Sequence, residues 1–183
     1  MLGVPNKFFV WKLEFVTPQL ITMKCIILVG GFGTRLRPLT FAVPKSLVPF
    51  CNMPIVEHQI AAAVKAGVKH VILAVGWKAD DMQSAIDGLK RKYSIEITCS
   101  VETSPLGTAG PIRLAEAILR SGEDEPFFVF NSDVICEFPL AEMLAYHKQN
   151  KAEGTVCVTK VEDPSKYGVV VSRENGQIER FVE

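Results

Sequence analysis

Residues 30–45 read GGFGTRLRPLTFAVPK and follow directly on the apolar run CIILV at residues 25–29. Apolar, partly β-branched residues emptying into glycines predict a buried strand ending in a loop, the position at which open α/β sheets hold a ligand. Gly30, Gly31 and Gly33 clear side chains from the path of a ligand approaching the backbone and permit positive φ, so successive N–H groups can converge on an anion. Arg35, Arg37 and Lys45 supply cations, and no acidic residue stands between Gly30 and Cys51 to neutralise them. Glycines beside locally unpaired cations predict a polyphosphate ligand. Pro38, Pro44 and Pro49 restrict the loop and lower the entropy lost when it closes on that ligand.

Two commoner glycine motifs do not fit this stretch. A dinucleotide fingerprint needs a third glycine three residues after Gly33, where Leu36 stands, and a P-loop needs glycine before its Lys-Ser, where Pro44 precedes Lys45 and Ser46.

Moving outward, residues 54–66 place Ile55, Val56, Ile60, Ala63 and Val64 at helical spacing before Gly67, and residues 71–75 form an apolar strand. Residues 79–93 predict a second helix and residues 95–101 a third strand. This alternation is the sequence form of a parallel sheet with right-handed crossovers. Residues 102–110, ETSPLGTAG, form a second strand-to-helix loop, read from composition alone as a turn-rich connection, and a helix follows over residues 108–119. Residues 127–130 are a fourth buried strand, ending in Asn131, Ser132 and Asp133. A carboxylate at that position either caps a turn or holds a hard cation in the crevice beside the glycine loop. Residues 140–148 predict a helix, residues 155–161 and 169–172 strands, and Asn175-Gly176 a hairpin returning through residues 178–182.

The stretches GGFGTRLRPLTFAVPKSLVPF (30–50), NMPIVEHQI (52–60), VETSPLGTAGP (101–111) and NSDVI (131–135) together resemble the sugar-phosphate nucleotidyltransferases, and within them the mannose-1-phosphate guanylyltransferases (GDP-mannose pyrophosphorylases) of eukaryotic beta type. The resemblance covers residues 23–183. It implies an α/β fold with a Rossmann-like, mostly parallel sheet flanked by helices on both faces, truncated here before the C-terminal β-helix of the family. It also implies GTP and mannose 1-phosphate as substrates, with GDP-mannose and pyrophosphate as products. By the same resemblance Arg35 and Lys45 are catalytic, Gly30, Gly31, Gly33 and Thr34 bind the nucleotide phosphates, Leu106, Gly107 and Gly110 line the base pocket, and Asp133 binds Mg²⁺. Arg37 either joins them or pairs with a surface carboxylate. An alternative is a non-catalytic module that binds nucleotide or nucleotide-sugar for regulation. Homo- or hetero-oligomers with other pyrophosphorylase subunits are a further implication of the family.

With 183 residues, 48% of them hydrophobic and 22% charged, the chain can bury a sizeable core. Its formal net charge of zero gives no electrostatic argument for a nucleic-acid or membrane partner. Cys25, Cys51, Cys99, Cys136 and Cys157 form no CxxC pair and read as reduced, structural thiols in a cytoplasmic protein, three of them within strand-like apolar runs. His58, His70 and His147 are too scattered for a local zinc motif. Residues 1–22 fit neither a signal peptide, a transit peptide nor a membrane span and are expected to be a loosely ordered leader before the domain at residues 23–183.

Overall fold

The computed structural model describes residues 23–31, 33–76, 82–104, 106–121, 125–163 and 168–182, with the side chain of Arg35 excepted. The expected leader at residues 1–22 and the start of the helix expected at residue 79 lie outside the described residues.

The chain divides into two compact units, residues 1–136 and 137–183. In the first, strands β1 (Lys24–Leu28), β4 (His70–Val75), β5 (Glu96–Val101) and β6 (Phe128–Asn131) form one parallel sheet in the order β5-β4-β1-β6. Between β1 and β4 come the short helix α1 (Leu39–Ala42), the two-residue strands β2 (Pro49–Phe50) and β3 (Met53–Pro54), and helix α2 (Ile55–Lys65). Helix α3 (Gln83–Tyr93) links β4 to β5, and α4 (Ala109–Leu114) and α5 (Glu116–Leu119) link β5 to β6. The path steps from β1 to β4 to β5 in one direction and then crosses back to β6 on the far side of β1. Right-handed crossovers therefore put α2 and α3 on one face and α4 and α5 on the other.

The alternation of strand side chains matches both faces. Ile26, Ile72 and Ala74 pack with Ala115 and Leu119, with Leu28, Ile112 and Ile118 around them. Their neighbours Ile27 and Leu73 point the opposite way and are fully buried, as are Val56, Ile60 and Ala63 of α2. The helix expected over residues 108–119 is broken at Ala115, which lies fully buried at φ −84°, ψ 2° between α4 and α5. Lys24 opens β1 and is itself buried. Its Nζ donates to the carbonyls of Ile118 (2.9 Å) and Leu119 (3.2 Å), to Ser121 Oγ (3.0 Å) and to the Ser121 carbonyl. A cation thus caps the negative end of α5, where carbonyls lack helical partners.

The β2–β3 hairpin was not expected from the sequence. Its turn residues Cys51 (φ 48°) and Asn52 (φ 61°) both adopt left-handed backbone, the geometry of the tightest hairpins, without the glycine that usually signals it.

In the second unit, α6 (Leu140–Asn150) precedes the antiparallel hairpin β7 (Val169–Ser172) and β8 (Ile178–Val182). The hairpin has its Asn175-Gly176 turn, with Gly176 at φ 84°. The strand expected at residues 155–161 does not form. Val156, Val158 and Val161 are exposed, and among the described residues β7 and β8 pair only with each other. Alternation makes a strand only where a ladder partner exists. Cys157 is accordingly exposed, whereas Cys25 lies in β1 and Cys99 in β5. Burial pushes the Cys25 thiol up to about 12.

Candidate functional site

The carboxyl ends of β1 and β6 lie side by side where the strand order reverses, and such a switch point opens a crevice above the sheet. An open cleft of about 450 Å³ sits there. Leu28, Gly30 and Gly31 contribute one wall, Asn131, Ser132 and Asp133 another, and Glu102, Leu106, Gly107, Thr108 and Pro111 a third, with Lys45 reaching in from the loop.

Loop geometry explains the glycines. Gly31 has φ 97°. Gly33 has φ 57°, ψ 33°, and a Cβ there would come within 2.8 Å of Thr40 Cγ2 and 3.2 Å of Lys45 Cβ. The Gly33 carbonyl accepts from Thr40 Oγ1 (2.8 Å) and from the Leu36 N–H (2.9 Å), folding the loop into a single turn of 3₁₀ helix at Thr34–Leu36. A second 3₁₀ turn, Lys45–Leu47, carries the lysine into the cleft.

Lys45 Nζ donates to Asp133 Oδ2 at 2.7 Å across 88 residues of sequence. The cation that looks unpaired along the chain is therefore paired across the fold, and Asp133 is not an uncompensated carboxylate. The pair is accessible, with 24% of the lysine side chain and 49% of the aspartate side chain exposed. It stands at the cleft wall and not in a dry interior. Among the described residues no carboxylate pairs with Arg37; its guanidinium lies over the Phe41 ring at 5.1 Å from the centroid.

The second loop brings Leu106 and Gly107 to the cleft wall. Gly110 is not part of that wall. It lies behind it in α4, where a Cβ would collide with Leu106 Cβ, so glycine lets Leu106 fold back over the helix start. Gly33 and Thr34 shape the loop without lining the cleft. Glu102 does line it, and its N–H donates to the Val75 carbonyl at 2.9 Å. Sequence reading passed over it as the first residue of a turn-rich loop, although a carboxylate directly after a strand carries the same signal as Asp133. Gln59 also escaped notice; it is fully buried and donates through Nε2 to the carbonyls of Asn131 (2.6 Å) and Val134 (2.8 Å).

The donors on this wall are oxygens. Among the described residues no group of three or more His, Cys, Asp or Glu side chains could hold a metal ion. Asp133, with the oxygens of Asn131 and Ser132 on the same wall, fits Mg²⁺, which takes one or two carboxylates and fills its octahedron with water and substrate phosphate. The three histidines lie elsewhere in structural hydrogen bonds: His58 Nε2 with the Phe50 carbonyl (3.0 Å), His70 Nε2 with Thr98 Oγ1 (2.9 Å) and His147 Nδ1 with Thr155 Oγ1 (3.0 Å).

Comparison with known proteins shows the family of this chain. The nucleotidyl transferase family model matches residues 24–183. The chain belongs to the nucleotidyl transferase family. Among relatives of this chain, the mannose-1-phosphate guanylyltransferase catalytic subunit beta of Xenopus tropicalis is 59% identical over 162 residues, covering 88% of this chain and 45% of the relative. A mannose-1-phosphate guanyltransferase of Hypocrea jecorina is 56% identical over 163 residues, covering 88% of this chain and 44% of the relative. The chain thus spans less than half the length of the curated relatives it matches.

Solved structures agree on the fold of this chain. A UDP-glucose pyrophosphorylase complexed with UDP-glucose superposes with a TM-score of 0.69 at 22% identity, covering 89% of this chain and 69% of the other. HddC from Yersinia pseudotuberculosis, complexed with GMP-PN, superposes with a TM-score of 0.64 at 25% identity, covering 88% and 69%. Among the described residues no helix is long and apolar enough to cross a membrane.

Proposed function

We propose that this chain carries the nucleotide side of a site that transfers guanylyl from GTP to mannose 1-phosphate, yielding GDP-mannose and pyrophosphate. The observation that carries the reading is the meeting of Lys45 and Asp133 beside Gly30 and Gly31 at the switch point of the sheet. One side chain suits a phosphate and the other a metal ion. The names of the relatives supply the sugar and the base.

The chemistry needs no proton abstraction, because a sugar-phosphate oxygen is already ionised when it attacks the α-phosphorus and pyrophosphate departs in line. What the protein must do is bring anions together and hold the charge that develops on the leaving group. Gly30 and Gly31 offer backbone donors to the phosphates from the cleft wall, and Gly33 and Thr34 hold that nucleotide loop in its turn. Arg35 is assigned to the β and γ phosphates and Lys45 to the α-phosphate. Asp133 is assigned to Mg²⁺, which when bound would supply Lewis-acid stabilisation of phosphate charge. Leu106 and Gly107 form the base wall, with Gly110 acting through Leu106. Glu102 on that wall offers two carboxylate oxygens, the complement of the adjacent N1–H and amino donors of guanine. The setting in this reading is cytoplasmic, and the beta-subunit name of the relatives supports assembly with further pyrophosphorylase subunits.

Calorimetric titration tests the reading. GTP with Mg²⁺ is expected to bind at least about tenfold more tightly than ATP with Mg²⁺, a difference of about 1.4 kcal/mol, and pyrophosphate exchange into GTP reports on the transfer step. Equal binding of both nucleotides would overturn the base assignment. No binding of either would overturn the site.

A further inference from the structure

We propose that Gln59 is the positioning residue of this site: from within α2 it fixes the turn that presents Asp133 to Lys45. On the reading that Asp133 holds Mg²⁺, it thereby sets the direction from which that carboxylate meets the metal. Asn131, Ser132, Asp133 and Val134 make a tight turn at the end of β6, and the turn's own hydrogen bond, from the Val134 N–H to the Asn131 carbonyl, is long at 3.4 Å. Gln59 clamps the same two ends from below, its amide nitrogen donating to Asn131 O at 2.6 Å and Val134 O at 2.8 Å. The Ser132 N–H adds a third anchor on the Leu28 carbonyl at 3.2 Å. Asp133 sits inside this clamp with its carboxylate 2.7 Å from Lys45 Nζ.

Packing alone does not account for an amide here. Gln59 is fully buried, and among the described residues no donor reaches its Oε1. A methionine would fill a similar volume without stranding a buried acceptor. What methionine lacks is the NH₂ group, which is fully used on the turn that carries Asp133. The same helix supports the other partner, since the Ile55 N–H at the start of α2 donates to the Val48 carbonyl (3.1 Å) immediately after the Lys45–Leu47 turn. One rigid element therefore braces both members of the ion pair, and Gln59 is its contact on the aspartate side.

The test compares Gln59→Met, Gln59→Glu and Asp133→Asn in the full chain by GTP titration with and without Mg²⁺, together with thermal melting. Gln59→Met removes both donors at nearly constant volume. It is expected to lower the Mg²⁺ enhancement of GTP affinity about tenfold, in the range for residues that orient a metal ligand, while metal-free GTP affinity stays within about twofold. Its melting temperature should fall, because the carbonyls of Asn131 and Val134 lose this donor, so the two affinities carry the distinction. Gln59→Glu puts an acceptor against two carbonyls and should show the same loss of enhancement. A merely structural role would weaken both affinities in parallel, which overturns the proposal, as does failure of both Gln59 variants to fold. If Asp133→Asn abolishes the enhancement while the Gln59 variants keep it, the metal reading stands and this inference falls. If Asp133→Asn keeps the enhancement, the metal reading fails and this inference with it.

Discussion

Lys45 and Asp133 neutralise each other in the ligand-free protein, so replacing either side chain tests binding more than stability. The pair is partly exposed, and such pairs contribute about 0–1 kcal/mol. Lys45→Met is therefore expected to leave the melting temperature nearly unchanged while pyrophosphate exchange falls roughly 10²- to 10³-fold, by analogy with loss of one transition-state donor. A large fall in stability with little effect on exchange would make the lysine a structural residue. His70 shows a different residue-scale effect. Burial lowers its pKa from the ordinary value of 6.5, with Glu96 pulling it partly back up and Lys24 adding to the depression. The unfolded chain then binds the proton first, so stability is complete above about pH 6.5 and falls as pH drops towards the folded value. His70→Gln should flatten the urea midpoint between about pH 7 and about pH 5 relative to the parent; identical slopes would exclude the effect. At this scale the sequence reading picked out Lys45 and Asp133 as separate site candidates and left them apart. Their pairing spans 88 residues, and no local pattern encodes it.

Elements were more legible than their attachments. The strands at residues 71–75, 169–172 and 178–182 lie where periodicity puts them, because burial on both faces or a glycine turn leaves few alternatives. The β2–β3 hairpin was missed because Cys51-Asn52 carries no turn glycine, and residues 155–161 were misread because alternation says nothing about a ladder partner. Attachments between elements depend on single side chains that the sequence shows only as isolated polar residues. Glu57, buried on α2, accepts from Lys92 Nζ (2.6 Å) and Tyr93 Oη (3.0 Å) and so ties α2 to α3. That hydrogen bond with Glu57 is the main reason the Lys92 pKa is raised. Lys24 ties β1 to α5 in the same way. Lys24→Met keeps the aliphatic stem but leaves the carbonyls of Ile118 and Leu119 without this donor, at an expected cost of about 1–3 kcal/mol in urea unfolding. A change below about 0.5 kcal/mol would show that water replaces the lysine there.

For the whole molecule, the alternation of strands and helices in the sequence implied a parallel sheet but not which strand lies beside which. The strand order matters for the site, because only the placement of β6 against β1 brings residues 131–133 to the glycine loop. That adjacency also dictates when the site can exist. The β4–β5 ladder joins strands separated by α3 alone and the β1–β4 ladder strands separated by α1, the β2–β3 hairpin and α2, whereas β1–β6 joins Cys25 to Phe128 across all of these elements and α4 and α5. Closing the longer loop is entropically slower, and non-local pairing dominates folding time. A refolding chain should therefore regain much of its helical circular dichroism before it can hold a nucleotide, and capture of a fluorescent GTP analogue should trail that signal in stopped-flow experiments. Simultaneous recovery of both would mean that β6 docks with the first strands. Competence to bind is, in this fold, a timestamp for the last strand to arrive, and a chain emerging from the ribosome carries its glycine loop for about a hundred residues before the aspartate that completes the cleft has been synthesised.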